Sequence, residues 1–302
     1  MVATLTPFAS ALQTGPVILD GGLGTLLEAR GNDVSSALWS ARVLHDDPDE
    51  VRAAHAEFFD AGAQVAVTAS YQVGYDALAA VGVDQGGTDE LLTRSVTVAR
   101  QARDENPGGG WVAASIGPYG ATLGDGSEYR GVTGMSVDDL RRWHRRRLRV
   151  LADAGPDLIA VETITSLVEI EAIVRELDGL GVPAWVSLTV DAGTLRSGES
   201  LAEAFALAGS ADEVVAVGVN CCSAHEVSGA LAAARAVTAL PLLAYPNSGE
   251  QWDGASRTWS GDDDLSDEQF LVWSDAAAAL GGCCRITPQT IARIAQTLRE
   301  HA

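Results

Sequence analysis

The chain of 302 residues is 47% hydrophobic and carries a formal net charge of −21, which indicates a large folded core and repulsion from phosphate backbones and anionic membranes. It contains no lysine, which excludes a lysine Schiff base and a P-loop lysine. The N-terminus lacks the basic segment and apolar core of a signal peptide, and the apolar runs are too short to cross a bilayer. We therefore expect a soluble cytoplasmic protein that binds neither nucleic acid nor membranes and whose cysteines stay reduced.

Short apolar runs typical of buried parallel strands alternate with longer amphipathic runs typical of helices. The predicted strands are residues 17–20, 64–70, 111–117, 157–163, 184–190, 214–221, 242–247 and 277–284. The predicted helices include residues 47–62, 136–155, 166–181, 223–237, 265–277 and 287–301, with Ser136 as an N-cap. This order predicts an α/β fold, a (β/α)8 TIM barrel that forms a single domain over residues 1–302. A doubly wound open sheet is the alternative.

Several polar segments are predicted to lie outside any site. Residues 83–90 and 252–264 have the composition of exposed loops. The basic run "RRWHRRRLR", residues 141–149, is expected to form the solvated outer face of a helix. The histidines lie in or near predicted helices, and none follows a strand, which argues against a zinc hydrolase with histidine ligands.

Polar and reactive side chains occur at the C-terminal ends of the predicted strands. These residues are Asp20, Thr68, Ser70, Ser115, Glu162, Asn220, Cys221, Cys222, Asn247, Cys283 and Cys284. In a barrel these ends meet at one mouth, where active sites are built. The pattern therefore predicts one shared site.

Two cysteine doublets favour a metal site at this mouth. Cys221 after the sixth strand could join Cys283 and Cys284 after the eighth around one zinc ion, because zinc favours tetrahedral sulfur ligation and catalytic sites keep one position open. Cys222, one backbone step further, is expected to point elsewhere. The alternative is that each cysteine is a small buried hydrophobic residue.

The first strand ends at Asp20, which precedes the glycine-rich sequence "GGLGT". Its spacing is not that of a dinucleotide-binding turn, so we expect the glycines, beginning with Gly21, to let the backbone approach a small substrate closely. Asp20 could instead cap the following helix. Glu162 lies in an apolar run and needs a partner, either an arginine or a cationic group of a ligand.

A series of motifs in chain order resembles the zinc-dependent homocysteine S-methyltransferases, especially the stand-alone enzymes that use S-methylmethionine or S-adenosylmethionine. The motifs are "LDGGLGT", "TASYQ", "SIGPYGA" with "GDGSEYRG", "VET", "GVNC", "YPNSGEQWD" and "GGCCR". The doublet "NCC" departs from the single cysteine usual in the family, and "VTGMS" stands where an acidic or aromatic residue is commoner. The resemblance implies a (β/α)8 barrel with zinc held by Cys221, Cys283 and Cys284. It also implies that Asp20 and Glu162 receive the homocysteine ammonium, with Thr68, Ser70, Ser115 and Asn220 as further substrate contacts.

The implied reaction is methyl transfer from a sulfonium donor to a zinc-activated homocysteine thiolate, which forms methionine without a general base. Aromatic faces can receive the cationic donor, and the candidates are Trp39, Tyr71, Tyr119 and Tyr129. The alternatives are betaine or another donor, a zinc hydrolase on the same barrel, and a protein that stores zinc or exchanges thiols. The expected partners are small molecules, and the expected assembly is a monomer or a small homo-oligomer.

Overall fold

Eight parallel strands close into a ring in the computed structural model, which describes residues 7–34, 39–124, 126–131, 134–253, 258–261 and 264–301. The strands are β1 (Val17–Ile18), β2 (Val65–Val67), β3 (Trp111–Ile116), β4 (Leu158–Ile164), β5 (Ala184–Leu188), β6 (Val214–Asn220), β7 (Leu242–Tyr245) and β8 (Ala279–Leu280). Strand β8 pairs with both β7 and β1, and a bridge between Leu19 and Val65 joins β1 to β2. This closure confirms the predicted (β/α)8 TIM barrel and excludes the open sheet.

Helices cover the outside of the strands. They are α1 (Phe8–Ala11), α2 (Leu23–Ala29), α3 (Trp39–Asp46), α4 (Pro48–Asp60), α5 (Tyr75–Ala79), α6 (Gln85–Glu105), α7 (Val137–Asp153), α8 (Leu167–Leu177), α9 (Leu201–Ala208), α10 (Ala224–Arg235), α11 (Asp267–Ser274) and α12 (Pro288–His301). Ser136 caps α7 as predicted, since its hydroxyl accepts from the Asp139 N–H at 3.2 Å. Within the described ranges, none of these helices has the length and apolar character needed to cross a membrane.

The two predicted loops are partly regular structure. Residues 83–90 were expected to be a loop, but α6 begins at Gln85, where Asp84 caps the helix by accepting from the Gly87 N–H at 2.8 Å. Glycine is a poor helix former, so Gly86 and Gly87 favour the prediction of a loop from local sequence. The buried leucines Leu91 and Leu92 nevertheless anchor this helix to the core. In the segment 252–264, Gln251–Asp253 and Thr258–Ser260 pair as antiparallel strands; residues 254–257 and 262–263 lie outside the described residues.

The interior of the barrel is filled with side chains. Small residues such as Ala113, Ala160 and Ala216 leave room for the indole of Trp185, which is fully buried. Phe8 of α1 packs against this indole with ring centroids 5.8 Å apart and so closes the N-terminal end of the barrel. The C-terminal mouth is the end that remains available for a site.

The basic run on α7 is only partly solvated. Arg141 and Arg145 form partly exposed ion pairs with Glu176, as a solvated face predicts. The prediction is wrong for Arg147, which is fully buried and donates to the carbonyl oxygens of Tyr71 at 3.1 Å and Gly117 at 3.3 Å. The helical period places Arg147 on the same inward face as the buried leucines of α7.

Candidate active site

A cavity lies at the C-terminal mouth of the barrel, as the strand-end pattern predicts. Among the candidate residues, its lining includes Asp20, Gly21, Thr68, Glu162, Cys221, Cys283 and Cys284. The other candidates, Ser70, Ser115 and Asn220, are fully buried behind this lining. The cavity therefore combines sulfur atoms and carboxylates from four strand ends.

Asp20 is a buried carboxylate between β1 and β2. It is 3% exposed, and its Oδ2 accepts a hydrogen bond from the Val67 N–H at 2.8 Å. Burial raises the pKa of Asp20 well above its ordinary value; the Val67 hydrogen bond opposes this shift, and the nearby charge of Glu162 adds to it. Asp20 lines the cavity, and the structure gives no side-chain cap from it to α2, whose N-cap is Gly22.

Glu162 is the second buried carboxylate of the cavity. Burial raises its pKa to about 7, while hydrogen bonds from Ser115 and Tyr245 act in the opposite direction. Both carboxylates belong to the same lining, which the structure describes with a third acidic residue, Glu128, and with no arginine or histidine. Charged forms of these groups therefore favour a cationic ligand.

Hydroxyl groups behind the lining connect β2, β3 and β4. The hydroxyls of Thr68 and Ser70 lie 2.7 Å apart, and the Ser70 hydroxyl donates to the Ser115 carbonyl oxygen at 2.7 Å. Ser115 donates its N–H to the Thr68 hydroxyl at 3.0 Å and its own hydroxyl to Glu162. This chain of hydrogen bonds fixes the position of the Glu162 carboxylate.

Asn220 holds the backbone next to Glu162. Its Oδ1 accepts from the Thr163 N–H at 2.7 Å and from the Ser187 hydroxyl at 2.6 Å, and its Nδ2 donates to the Thr163 hydroxyl at 2.7 Å. These contacts join the ends of β4, β5 and β6. The amide is thus engaged by the protein rather than pointing into the cavity.

The sulfur atoms of Cys221, Cys283 and Cys284 lie within 4.8 Å of one another. Their convergence is the geometry that the sequence predicted for residues from β6 and β8. Cys221 and Cys283 are joined as a disulfide with Cα atoms 5.5 Å apart, whereas reduced thiols were expected. Cys222 is fully buried in the layer between the strands and helices, where burial raises its pKa to about 12, so it points away from the cluster as predicted.

Backbone contacts hold the Cys283–Cys284 turn against its neighbours. The Cys283 N–H donates to the Pro246 carbonyl oxygen at 2.8 Å, and the Cys284 N–H donates to Asn247 Oδ1 at 3.1 Å. A Cβ at Gly22 would lie 2.6 Å from the Cys283 carbonyl oxygen, so glycine is needed for this close approach. The glycine-rich sequence therefore serves packing against the cysteine turn as well as lining the cavity.

Once reduced, this set of donors fits a zinc ion. At a Zn–S distance of about 2.3 Å, sulfur ligands of a tetrahedral zinc ion lie about 3.8 Å apart, which the observed cluster accommodates within its 4.8 Å. Three sulfurs leave one ligand position for a substrate. Among the described residues, no histidine or carboxylate belongs to the cluster, so the donor set does not favour a zinc hydrolase.

Of the four aromatic residues predicted to receive the cationic donor, one lies at the cavity. Tyr71 lines the cavity, whereas Tyr119 packs edge-on against Trp143 with ring centroids 5.1 Å apart. The side chains of Trp39 and Tyr129 lie outside the described residues.

Three residues of the lining were not predicted from the sequence. Tyr245 lines the cavity, and its hydroxyl accepts from Trp185 Nε1 at 3.1 Å; the other two are Gln72 and Glu128. All three lie in or beside strand ends or quoted motifs, which is the signal that could have identified them.

Comparison with known proteins identifies the family of this chain. The family model for homocysteine S-methyltransferase matches residues 17–298. Homocysteine S-methyltransferase of Escherichia coli K12 is 43% identical over 92% of this chain and 94% of its own length, and homocysteine S-methyltransferase 2 of maize is 41% identical over 95% and 91%. The crystal structures of E. coli MmuM in its metallated and oxidised forms each give a TM-score of 0.86 at 38% identity, covering 98–99% of this chain and 100% of theirs. The chain belongs to the homocysteine S-methyltransferase family.

Proposed function

We propose that this protein transfers a methyl group from a sulfonium donor, S-methylmethionine or S-adenosylmethionine, to the thiol of homocysteine and so forms methionine. The observation that carries the proposal is one cavity in which three cysteine sulfurs within 4.8 Å of one another face two buried carboxylates. Family membership gives the reaction type, and the residues of the cavity suit both substrates.

Asp20 and Glu162 are the groups that bind the homocysteine ammonium. A buried carboxylate with a raised pKa is costly to ionise without a partner, and an ammonium supplies that partner. Gly21 and Thr68 lie beside the ammonium site and contact the substrate. Ser70, Ser115 and Asn220 act from behind the lining, where their hydrogen bonds orient Glu162 and Thr163.

Cys221, Cys283 and Cys284 would hold zinc after the Cys221–Cys283 disulfide is reduced. The chemistry that zinc supplies there is a lower thiol pKa, which gives a nucleophilic thiolate at neutral pH. The homocysteine sulfur then forms a bond to the methyl carbon, while the bond from that carbon to the sulfonium sulfur breaks. The electron pair stays on the leaving sulfur, which departs as a neutral sulfide, and the thiol proton goes to solvent.

The donor is cationic, and the cavity favours it for two reasons. The described lining is acidic, and it includes Tyr71, whose aromatic ring is of a kind that stabilises a positive charge. Betaine carries a positive charge as well, so the charge of the cavity alone does not separate it from a sulfonium. E. coli MmuM has been solved in a metallated form and in an oxidised form, which supports the proposal that the cysteine cluster of this chain has an oxidised and a metal-binding state.

The test is an assay of methionine formation by the reduced, zinc-loaded protein with homocysteine and a 13C-methyl donor. We expect labelled methionine with S-methylmethionine, with S-adenosylmethionine, or with both, and slower labelling with betaine. Labelled methionine with betaine but with neither sulfonium would identify betaine as the methyl donor instead. Zinc-loaded protein that forms no methionine with any of the three would overturn the proposal.

Small-molecule partners, a cytoplasmic location and a monomer or small homo-oligomer belong to the same proposal.

A further inference from the structure

The backbone at Cys221 adopts a left-handed conformation. Its φ is 48°, a region that residues other than glycine seldom occupy. Cys221 directly follows β6 and is 5% exposed. A conformation of this kind persists only where surrounding contacts hold it, so the groups that contact this turn decide whether it forms.

A side chain on the neighbouring strand supplies one such contact. Thr189 directly follows β5, which pairs with β6, and its hydroxyl donates to the Cys221 carbonyl oxygen at 3.1 Å. The Thr189 side chain is fully buried. The next carbonyl oxygen, that of Cys222, accepts from the Asn247 N–H at 3.0 Å. Two successive peptide groups are therefore fixed, the first by a side chain and the second by backbone.

The direction of the Cys221 sulfur depends on this turn. A change of φ at Cys221 rotates its Cα–Cβ bond relative to β6 and carries Sγ away from Cys283 and Cys284. Strands β6 and β8 are separated by β7. The Cys221 N–H donates to the Tyr245 carbonyl oxygen of β7 at 3.4 Å, but this bond lies before the N–Cα bond and does not fix the rotation about it. A hydroxyl that fixes the Cys221 peptide therefore also fixes the distances among the three sulfurs.

We infer that Thr189 is a positioning residue of the sulfur cluster, which orients Cys221 so that the three thiols bind one zinc ion. The inference rests on the proposed function, because it concerns the ion that those thiols would hold. Hydrogen bonds of this supporting kind typically change metal affinity by about 10- to 100-fold.

Three substitutions separate the effect of the Thr189 hydroxyl on zinc binding from the effect of the side-chain shape. Thr189→Val keeps the volume and branching but removes the hydroxyl, whereas Thr189→Ser keeps the hydroxyl. Thr189→Ala removes the hydroxyl without a β-branched replacement and is the second test if the valine variant is unstable. The matched control is Thr88→Val, because Thr88 is also fully buried and donates to a backbone oxygen, that of Asp84 at 2.9 Å, but lies in α6.

The experiment measures zinc binding by each reduced protein in competition with a chromophoric chelator, after circular dichroism shows that the variant is folded. The absorption spectrum of the cobalt-substituted protein then reports the geometry of the sulfur ligands. We expect Thr189→Val and Thr189→Ala to bind zinc about 10- to 100-fold more weakly with an altered cobalt spectrum. We expect Thr189→Ser and Thr88→Val to keep the wild-type affinity and spectrum.

The outcomes distinguish this inference from the proposed function. Wild-type affinity and a wild-type cobalt spectrum in Thr189→Val would overturn the inference, and so would an equal loss of affinity in Thr88→Val. A wild-type protein that binds zinc, with the expected pattern among the variants, but forms no methionine would overturn the proposed function alone. A reduced wild-type protein that binds neither metal would overturn both.

Discussion

The side chain of Asn220 holds the backbone of Thr163 in a left-handed conformation. Thr163 has a φ of 62°, which is strained for a β-branched residue, and both its N–H and its hydroxyl bond to the Asn220 amide at 2.7 Å. Glu162 directly precedes it. The amide therefore fixes the backbone from which the Glu162 side chain reaches the cavity.

Replacement of Asn220 by leucine should lower the free energy of unfolding by roughly 2–5 kcal/mol, because a buried N–H and two hydroxyls lose their partner. Urea unfolding at neutral pH measures this change. The control is Asn106→Leu, since the Asn106 side chain bonds only to its own turn at Gly108 and Gly109 among the described contacts. Equal losses in the two variants would contradict the special role of Asn220.

Glu162 should make the stability of the metal-free protein fall as pH rises. Its ordinary pKa of 4.5 becomes about 7 in the folded state. Between these values the folded protein holds a proton that the unfolded chain has released, so the free energy of unfolding decreases with rising pH and levels off above pH 7. The decrease from this group is on the order of 3 kcal/mol.

Thermal or urea unfolding from pH 4.5 to 8 compares the wild type with Glu162→Gln, which cannot titrate at this position. As pH rises, the unfolding free energy of the wild type should decrease relative to that of the variant. Parallel profiles for the two proteins would show that the Glu162 pKa is not raised.

Asp20 should act on the ammonium of homocysteine. Asp20→Asn keeps the acceptor for the Val67 N–H but removes the charge, so KM for homocysteine should rise about tenfold or more, with a smaller effect on kcat. The control substrate is 4-mercaptobutanoate, which lacks the ammonium. The substitution should affect its kcat/KM far less, and an equal loss with both thiols would argue against an ammonium contact.

Only three of the four cysteines should matter for metal binding. Reduced wild-type protein should bind one zinc ion per chain, and Cys283→Ala should remove most of that affinity together with methionine formation. Cys222→Ala is the control, because its thiol lies in the apolar layer away from the cluster. Zinc content by mass spectrometry under native conditions checks both; zinc retained in Cys283→Ala would exclude the proposed ligand set.

The buried guanidinium of Arg147 should stabilise the loops after β2 and β3. Arg147→Met removes its bonds to the carbonyl oxygens of Ser70, Tyr71 and Gly117. The substitution should cost roughly 2–4 kcal/mol, because these buried or partly buried oxygens lose a charged donor. Arg146→Met, in the neighbouring exposed ion pair with Asp89, should cost under about 1 kcal/mol. Urea unfolding of both variants tests this contrast.

Local patterns in the sequence determined the strands, their order and the end of the barrel that carries the site. A buried strand can be recognised from its own apolar run and the turn residues beside it, without knowledge of its tertiary contacts. In a barrel, parallel strands place their C-terminal ends at one mouth. The topology made a meeting of Cys221 with Cys283 and Cys284 possible, the family resemblance implied it, and the structure brings the three sulfurs within 4.8 Å of one another. No helix was predicted over Gln85–Glu105, and residues 83–90 were expected to be a loop, because the glycines after Gln85 hide the start of a helix that is stabilised by burial further along.

Only the tertiary structure decided which strand-end residues face the cavity. Where a strand becomes irregular or ends, the alternation of side chains stops. The direction of each side chain then depends on single backbone conformations, such as those of Thr163 near the end of β4 and Cys221 directly after β6. Those turns are held by Asn220 and Thr189, which come from other strands. Burial of Arg147 has the same origin, because backbone oxygens from two distant loops converge on it.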